Sequence, residues 1–301
     1  MTVLGSAYFH PSGTAAADGR DVTIAPDGAS WRYTGLEVLR LAPGEHLALR
    51  QQDREAIVVP LAGSVSVTVN GETYPLAGRP SPWGVTDVLY LPVHSSAELV
   101  SEQGMRIALP WAVAAEEYPV QYVAKDAVVS ELRGAGVCSR QVNNFGTPQA
   151  IQADRLIACE VMQPGGTWSS YPPHKHDTDT ATETELEEIY YYEVAVSPAG
   201  TPGFALQRVY SSHFSGGPDT GVPSIDVTEE VRTGDVIQIP YGYHGPTVAA
   251  PGHDLYYLNV MAGPRSAVHP QRQWLISDDP DHAWIRQQWE HEDVDPRLPF
   301  I

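Results

Sequence analysis

The sequence predicts an all-β protein made of two tandem β-barrels, and three observations support this fold class. Short apolar runs bounded by turn residues recur along the chain, as in sandwiches and barrels. Glycine and proline contribute 26 residues each, more turn chemistry than a helical protein carries. The two halves have similar strand content, and 301 residues suit two domains of about 150 residues each. We place the boundary near residue 130, giving domains 1–130 and 131–301.

The first half contains a succession of short strands. The run 64–76 alternates apolar and polar residues on both sides of Asn70-Gly71, the dipeptide that best marks a tight hairpin. No stretch in this half has a helical period of 3.6 residues. The predicted strands and hairpin lie at 35–41, 46–51, 55–63, 64–76, 87–92, 97–101 and 105–114.

The second half repeats this pattern after a connector. Residues 126–136 predict a short helix that ends at Gly134 or Gly136. The tail 278–290 also predicts a helix, with Asp279 as its cap and Pro280 in its first position. Strands are predicted within 155–166, 188–196, 204–212, 227–244 and 254–263.

The net charge argues against nucleic acids and anionic membranes as partners. The chain has 37 acidic and 18 basic residues, a net charge of −19, which repels phosphate backbones and anionic membranes. The N-terminus has no signal-peptide pattern, and no apolar run reaches the roughly 20 residues of a membrane span. We therefore expect a cytoplasmic protein that binds neither nucleic acid nor membrane. Cys138 and Cys159 are expected to be buried, reduced thiols.

Two histidines in the run 171–177 suggest a metal site. On an extended strand, His174 and His176 face the same side. Pro172 and Pro173 hold the preceding backbone extended. Two imidazoles on one face begin a divalent-metal site that a carboxylate and a further imidazole would complete. Taken alone, the pair also fits two surface histidines.

The further donors follow on later strands. Glu188 opens an aromatic strand, and the turn 234–242 leads to His244. Together the four residues resemble the two-part signature of the cupin family, in which an H-x-H pair and a glutamate precede a G-x5-P-x-G turn and a last histidine. Eleven residues separate His176 from Glu188, whereas the family has three or four, so an acidic loop is expected there.

That loop leaves other carboxylates in competition with Glu188, namely Glu183, Glu185 and Glu187. Glu188 is preferred because it borders the apolar strand directly. Glu187 comes second, since only one of two adjacent strand residues faces inward. The first half has no H-x-H pair, and His46 and His94 are isolated. We therefore expect a metal-free first barrel and one divalent ion per chain, zinc first, with manganese, iron or nickel also compatible with this donor set.

Several longer segments resemble the 5-deoxy-glucuronate isomerase family of bacterial inositol catabolism. This family is related to the 5-keto-4-deoxyuronate isomerases, which are bicupins with one metal. The resemblance implies conversion of 5-deoxy-D-glucuronate, a sugar acid, to 5-dehydro-2-deoxy-D-gluconate. It also implies His174, His176, Glu188 and His244 as metal ligands. It rests on residues 140–145, 169–177, 186–194, 206–211, 240–263 and 279–284, and more loosely on 78–92.

An aldose–ketose isomerisation needs more than the metal. The ion polarises the reacting oxygens and stabilises enediolate charge, and a base moves the proton unless a hydride shift operates. Lys175 faces away from its neighbours and is expected to be solvated. Arg140 and Arg208 are the candidates for binding the substrate carboxylate, although surface salt bridges would explain them equally. The candidate catalytic residues are Glu187, Tyr190, Tyr192, His253 and Asp254, although the tyrosines also fit an aromatic core strand.

Two other functions fit the same motifs. An iron-dependent cupin dioxygenase would use the open metal positions for oxygen, and a sugar-acid-binding cupin would need no catalysis. A requirement for oxygen would distinguish the dioxygenase from an isomerase. The first barrel, without a metal, is free to form a subunit interface, and we expect a homo-oligomer.

Overall fold

The computed structural model describes residues 8–211 and 223–300, and within them it confirms an all-β fold. The last residue of the predicted strand 204–212 lies outside the described residues. Strand β1 (Phe9–His10) pairs far along the chain with residues 236–237. The strands that follow it in the first half are β2 (Val22–Ile24), β3 (Thr34–Leu41), β4 (His46–Arg50), β5 (Arg54–Val69), β6 (Glu72–Arg79), β7 (Val88–Leu91), β8 (Ser96–Val100), β9 (Met105–Val113) and β10 (Gln121–Val123).

These nine strands form one curved sheet in the order β10-β7-β5-β9-β3-β2, with β6 and β8 paired to β5, and β4 paired to β8. The 16-residue β5 runs through both parts of the sheet and closes it around a core that includes Val67, Leu99 and Ile107. The hairpin predicted at Asn70-Gly71 is confirmed. Both residues have positive φ, 52° and 85°, the conformation that a two-residue hairpin turn requires.

The second half contains two sheets that enclose a separate core, including Cys159, Tyr192 and Val209. One has the order β1-β19-β16-β21-β13-β12-β11, and the other β18-β17-β20-β15-β22 with β14 on β20. The strands are β11 (Ser130–Arg133), β12 (Arg140–Gly146), β13 (Ile157–Gln163), β14 (Trp168–Ser169), β15 (His174–Lys175), β16 (Glu187–Val194), β17 (Ala205–Tyr210), β18 (Asp226–Val231), β19 (Val236–Ile239), β20 (Tyr243–Ala249), β21 (Leu255–Ala262) and β22 (Ser277–Asp278).

The helix predicted within 126–136 is wrong. A single 3₁₀ turn spans 125–127, and residues 130–133 form β11 instead, because Ser130 and Arg133 pair with Asn143 and Arg140 of β12. The tail helix is shorter than predicted: α1 (Ile285–Gln288) is one turn, continued by a 3₁₀ turn. No helix among the described residues is long and apolar enough to cross a membrane. Both cysteines are buried and unpaired.

The two halves share a third core, to which Leu36 and Ile57 contribute from the first half and Tyr191 and Leu258 from the second. A buried ion pair crosses it, with Arg79 Nη2 2.7 Å from Glu160 Oε2. The boundary near residue 130 stays a prediction; β10 and β11, on either side of it, pair in different sheets.

Two carboxylates also link the halves in a reciprocal way. Glu187, at the start of β16, accepts hydrogen bonds from three consecutive backbone N–H groups at 32–34 and from the Thr34 hydroxyl. Glu55, near the start of β5, accepts from three consecutive N–H groups at 154–156 and from the Tyr90 hydroxyl. Each half thus contributes one carboxylate that binds backbone N–H groups of the other half, as expected for two similar barrels packed face to face.

Candidate metal centre

Three buried donors converge inside the second barrel. His176 follows β15, Glu188 lies on β16 and His244 lies on β20. Glu188 Oε2 is 3.0 Å from Nε2 of His176 and 3.0 Å from Nε2 of His244. One ligand atom from each residue lies within 4.8 Å of the others. The site therefore joins donors from both sheets of the barrel.

Neighbouring groups orient each donor. His176 Nδ1 is 3.0 Å from the Leu186 carbonyl, which turns Nε2 toward the centre. His244 Nδ1 lies 3.3 Å from the carbonyl of Gly242, whose φ of +91° favours glycine. Asn259 Nδ2 donates to Glu188 Oε1 at 2.5 Å, leaving Oε2 for the histidines. Contacts of this kind fix imidazole tautomers and ligand direction in metal sites.

The donor set fits a divalent ion. Nε2 of His176 and Nε2 of His244 are both buried, and both face the same oxygen, Oε2 of Glu188, at 3.0 Å. Two imidazole nitrogens turned toward one carboxylate oxygen form a donor set that a cation at their centre would complete. Two imidazoles and a carboxylate are ligands that zinc, manganese, iron and nickel accept.

The charges at the centre favour an ionised carboxylate. Burial alone would raise the pKa of Glu188, but the neighbouring His244 and His176 outweigh it and lower that pKa to about 2. Burial likewise opposes a charge on His176, but its contact with Glu188 raises the pKa of His176. The centre therefore presents an ionised carboxylate beside two imidazoles, and the carboxylate is in the form that binds a metal ion.

His174 stands beside these three donors. Its ring centroid is 4.5 Å from that of His244 and 6.4 Å from that of His176. Burial first, and then the neighbouring His244 and His176, lower the pKa of His174 well below its ordinary value. The imidazole is therefore neutral at neutral pH, the form that binds a metal. Its assignment as a fourth ligand stays a prediction.

The loop between His176 and Glu188 is anchored rather than loosely bulging. Lys175 is buried, and its ammonium group contacts Asp177 at 2.6 Å and Glu183 at 2.7 Å. Glu183 also accepts from the backbone N–H groups of Asp177 and Thr178. The expectation of a solvated Lys175 is wrong, because these carboxylates fold back over it. The loop therefore returns the chain to Glu188 in a fixed position.

Of the five predicted catalytic side chains, Tyr190 lies next to the centre. Its ring centroid is 6.0 Å from that of His244 and 5.1 Å from that of Tyr257, on which it stacks. Tyr192 lies one layer deeper and donates its hydroxyl hydrogen bond to Gln207 at 3.1 Å. Both tyrosines are buried and also belong to the aromatic core.

The structure does not bring the other three candidates to the centre. Glu187 faces the opposite side of β16 and binds the first half of the chain. His253 Nδ1 lies 2.8 Å from the Ala195 carbonyl, and Asp254 accepts from Gly165 N–H. Glu188 pairs with Met261, so Asp254 is seven residues along the strand from the metal end, about 20 Å at the usual rise.

The two predicted carboxylate-binding arginines differ in environment. Arg208 is partly exposed on β17 and pairs with Asp226 at 3.3 Å. Arg140 is only 5% exposed and is the first residue of β12. Asn259, Tyr257 and Ser170 are residues near the centre that the sequence interpretation missed. Alternation along 254–263 could have identified Tyr257 and Asn259, which face inward opposite Tyr192 and Tyr190.

The strand register identifies the corresponding positions in the first barrel. Glu188 pairs with Ile239, and His244 pairs with His174. In the same way Ala56 pairs with Leu91, and Ser96 with Arg50. The runs 87–92 and 235–240 each carry an aspartate first and a proline last, so they align the two halves. Where the second barrel has His174, His176, Glu188 and His244, the first has Arg50, Gln52, Ala56 and Ser96.

Comparison with known proteins agrees with this architecture. A model of the KduI/IolB family matches residues 8–285. The chain belongs to the KduI/IolB family. It is 37% identical to the 5-deoxy-glucuronate isomerase of Geobacillus kaustophilus, over 92% of this chain and 94% of that one. It is 34% identical to the protein of that name from Bacillus subtilis strain 168, over 88% and 92%. These names support an isomerase of the KduI/IolB family.

Solved structures show the same fold. An IolB-like protein from Salmonella typhimurium LT2 is 34% identical, with a TM-score of 0.80, covering 93% of this chain and 99% of that one. An oxalate decarboxylase from Lactobacillus farciminis, 12% identical with a TM-score of 0.60, covers 90% and 88%. The second likeness concerns the fold alone. The predicted all-β class of two tandem cupin barrels is confirmed, with one short α-helix in the tail and only 3₁₀ turns in the connector.

Proposed function

We propose that this family member converts 5-deoxy-D-glucuronate to 5-dehydro-2-deoxy-D-gluconate in myo-inositol catabolism, with one divalent ion bound by the second barrel. The observation that carries the proposal is the convergence of His176, Glu188 and His244, whose ligand atoms lie within 4.8 Å of one another inside the barrel. The curated relatives named for this activity align over most of the chain. The residues matched by the family model, 8–285, include all of the site residues.

In this proposal His174 joins the three converging donors, and zinc is the first candidate ion. When bound, the ion supplies Lewis-acid polarisation to the carbonyl and adjacent hydroxyl oxygens of the substrate. Glu188 holds the negative charge of the ligand set, and Asn259 fixes the carboxylate by binding its other oxygen. The first barrel has Arg50, Ala56 and Ser96 at the matching positions, which supports a single ion per chain.

Tyr190 is positioned to serve the reacting end of the substrate. Burial first, and then the charge of Glu188, raise the pKa of Tyr190 well above its ordinary value. Its phenol therefore stays protonated and can donate a hydrogen bond to a substrate oxygen, rather than act as a base. Tyr190, Tyr192 and Tyr257 pack against one another beside the centre. We propose an enediolate route, in which a proton leaves one substrate carbon and returns to the next.

The test is an anaerobic assay of purified protein of known metal content with 5-deoxy-D-glucuronate. The wild type is expected to form the ketose without oxygen, and His244→Ala and Glu188→Gln are expected to lose both the ion and the turnover. Turnover that needs oxygen would favour a dioxygenase over an isomerase. Turnover that persists in both variants would remove the site assignment. We further propose that the protein is a cytoplasmic homo-oligomer, and sedimentation of the same samples tests the oligomeric state.

A further inference from the structure

Two arginines face each other inside the edge of the second barrel. Arg140 on β12 and Arg133 on β11 are directly opposite in the strand register, an arrangement in which like charges repel. Arg133 is compensated by Glu131, with Nη2 and Oε2 2.7 Å apart. Arg140 has no carboxylate partner among the described residues. There it donates only from Nη1, to the carbonyls of Cys138 at 3.0 Å and Tyr171 at 3.4 Å.

Burial of the Arg140 guanidinium without a counter-ion destabilises the folded protein. Arg140 is 5% exposed, and a buried charge without a counter-ion carries a desolvation penalty that two carbonyl contacts offset only in part. Burial, together with the positive charges of Arg133 and Arg286, lowers the pKa of Arg140 to about 10. The guanidinium nevertheless remains charged at neutral pH, so the site has an excess of positive charge.

The surroundings of Arg140 are shaped to hold it in place. Gly134 has a φ of +75°, and a methyl group there would lie 2.7 Å from Arg140 Nη1. The Trp289 ring of the tail lies 5.5 Å from the Arg140 guanidinium and 5.4 Å from that of Arg286. Aromatic faces stabilise cations, but they do not neutralise them. The arrangement fixes the guanidinium without supplying an anion.

Contacts connect Arg140 with the segment that carries His174. Tyr171, whose carbonyl Arg140 contacts, leads through two prolines to His174. Strand β22 places Asp278 opposite His174, and Asp278 binds Arg286 at 2.8 Å. Tyr257, whose charge acts on the pKa of Arg140, stacks on Tyr190, and the Tyr190 ring lies 6.0 Å from that of His244. Arg140 is thus linked to the metal donors through the segment 171–174 and through neighbours of these two rings.

We propose that Arg140, assisted by Arg133, binds the carboxylate of the sugar-acid substrate while the metal donors engage its hydroxy-aldehyde end. This inference rests on the proposed function. A uronate has these two groups at opposite ends of one short chain, so two separate anchors fix which carbons react. The planar guanidinium fork matches a carboxylate in a bidentate pair. The substrate carboxylate is then the counter-ion that Arg140 lacks among the described residues.

The test compares Arg140→Met and Arg140→Lys with wild type and with the control Arg232→Met, an exposed arginine paired with Glu230. Each protein is assayed with 5-deoxy-D-glucuronate and with 5-deoxy-D-glucose, the aldose that lacks the carboxylate. Arg140→Met is expected to lose about 100-fold in kcat/KM for the uronate, mainly through KM. Its metal content and its activity on the neutral aldose should be retained, so the preference for the acid collapses. Arg232→Met should keep that preference.

A preference for the uronate that survives both Arg140 substitutions would overturn the inference. Should Arg140→Met fail to fold, Arg140→Lys decides, because it keeps the charge and loses the fork. A separate measurement is titration of the wild type and Arg140→Lys with D-gluconate and D-glucitol by calorimetry. Gluconate should bind the wild type more tightly than glucitol and lose that advantage in the variant. Equal binding of both probes to the wild type would contradict the carboxylate site, even if the uronate were not turned over. Absence of uronate turnover by the wild type would refute the proposed function alone.

Discussion

Glu187 and Glu188 are adjacent carboxylates on opposite faces of β16, and replacing each with glutamine should have opposite consequences. Glu188 faces the metal donors, 3.0 Å from two imidazole nitrogens. Glu187 faces the first half of the chain, where Oε1 accepts three hydrogen bonds and Oε2 accepts one from Arg32 N–H. We predict that Glu187→Gln lowers the stability and keeps the metal, whereas Glu188→Gln loses the metal.

The size of the Glu187 effect follows from its four contacts. Hydrogen bonds to a charged acceptor contribute about 1.5–3 kcal/mol each and neutral ones about 1 kcal/mol. With the amide oxygen in place of Oε1, three hydrogen bonds have a neutral acceptor instead of a charged one. The new NH₂ group faces Arg32 N–H and cannot accept a hydrogen bond from it. The free energy of unfolding should fall by about 4 kcal/mol, which corresponds to a drop in Tm of about 6 °C for a chain of this length.

The assay is thermal and urea unfolding of metal-loaded protein, with metal content measured on the same samples. Glu55→Gln is the matched control, because Glu55 makes the reciprocal set of four contacts and neither contacts a metal donor nor neighbours one in the sequence. It should reproduce the stability loss of Glu187→Gln and keep the ion. The reasoning is refuted if Glu187→Gln costs less than about 1 kcal/mol, or if it releases the metal while Glu188→Gln retains it.

Three further predictions follow from the structure. Arg79→Met should destabilise the protein by about 3–5 kcal/mol, because it leaves Glu160 buried and unpaired. In urea unfolding, the double variant with Glu160→Leu should recover most of that stability. A cost below about 1 kcal/mol for Arg79→Met alone would contradict this. Lys175→Met should weaken metal binding about tenfold, as measured by competition with a chelator. The reason is that Asp177 and Glu183 lose the ammonium group that holds the loop next to His176. Unchanged affinity would show that the loop does not position the ligands. Turnover in D₂O should place deuterium on a carbon of the product, and its absence would indicate a hydride shift.

Local pattern predicted much of the second barrel. Alternation along a strand placed His174 and His176 on one side, and the turn 234–242 placed His244 at the start of β20. The choice of Glu188 over Glu187 rested on the same alternation, and the two carboxylates do face opposite sides. These features depend on neighbours within a few residues, which is the range over which strand geometry acts.

Other features depend on contacts between distant segments. Residues 130–133 carry a helix-like pattern, but pairing with β12 satisfies their backbone groups and makes them a strand. The buried position of Lys175 requires the loop to fold back so that Glu183 reaches it. The role of Glu187 depends on residues more than 150 positions away. His253 and Asp254 were chosen for chemistry alone, whereas counting residues along β21 places them far from the metal end.

Metal titration tests the central claim most directly. Apo wild type, Glu188→Gln and His244→Ala can each be titrated with Co²⁺ and followed by visible absorption, with Zn²⁺ as a competitor. We predict one tightly bound ion per wild-type chain and no tight binding in either variant. Full binding by both variants, or no saturable binding by the wild type, would mean that the three converging side chains do not form a metal centre.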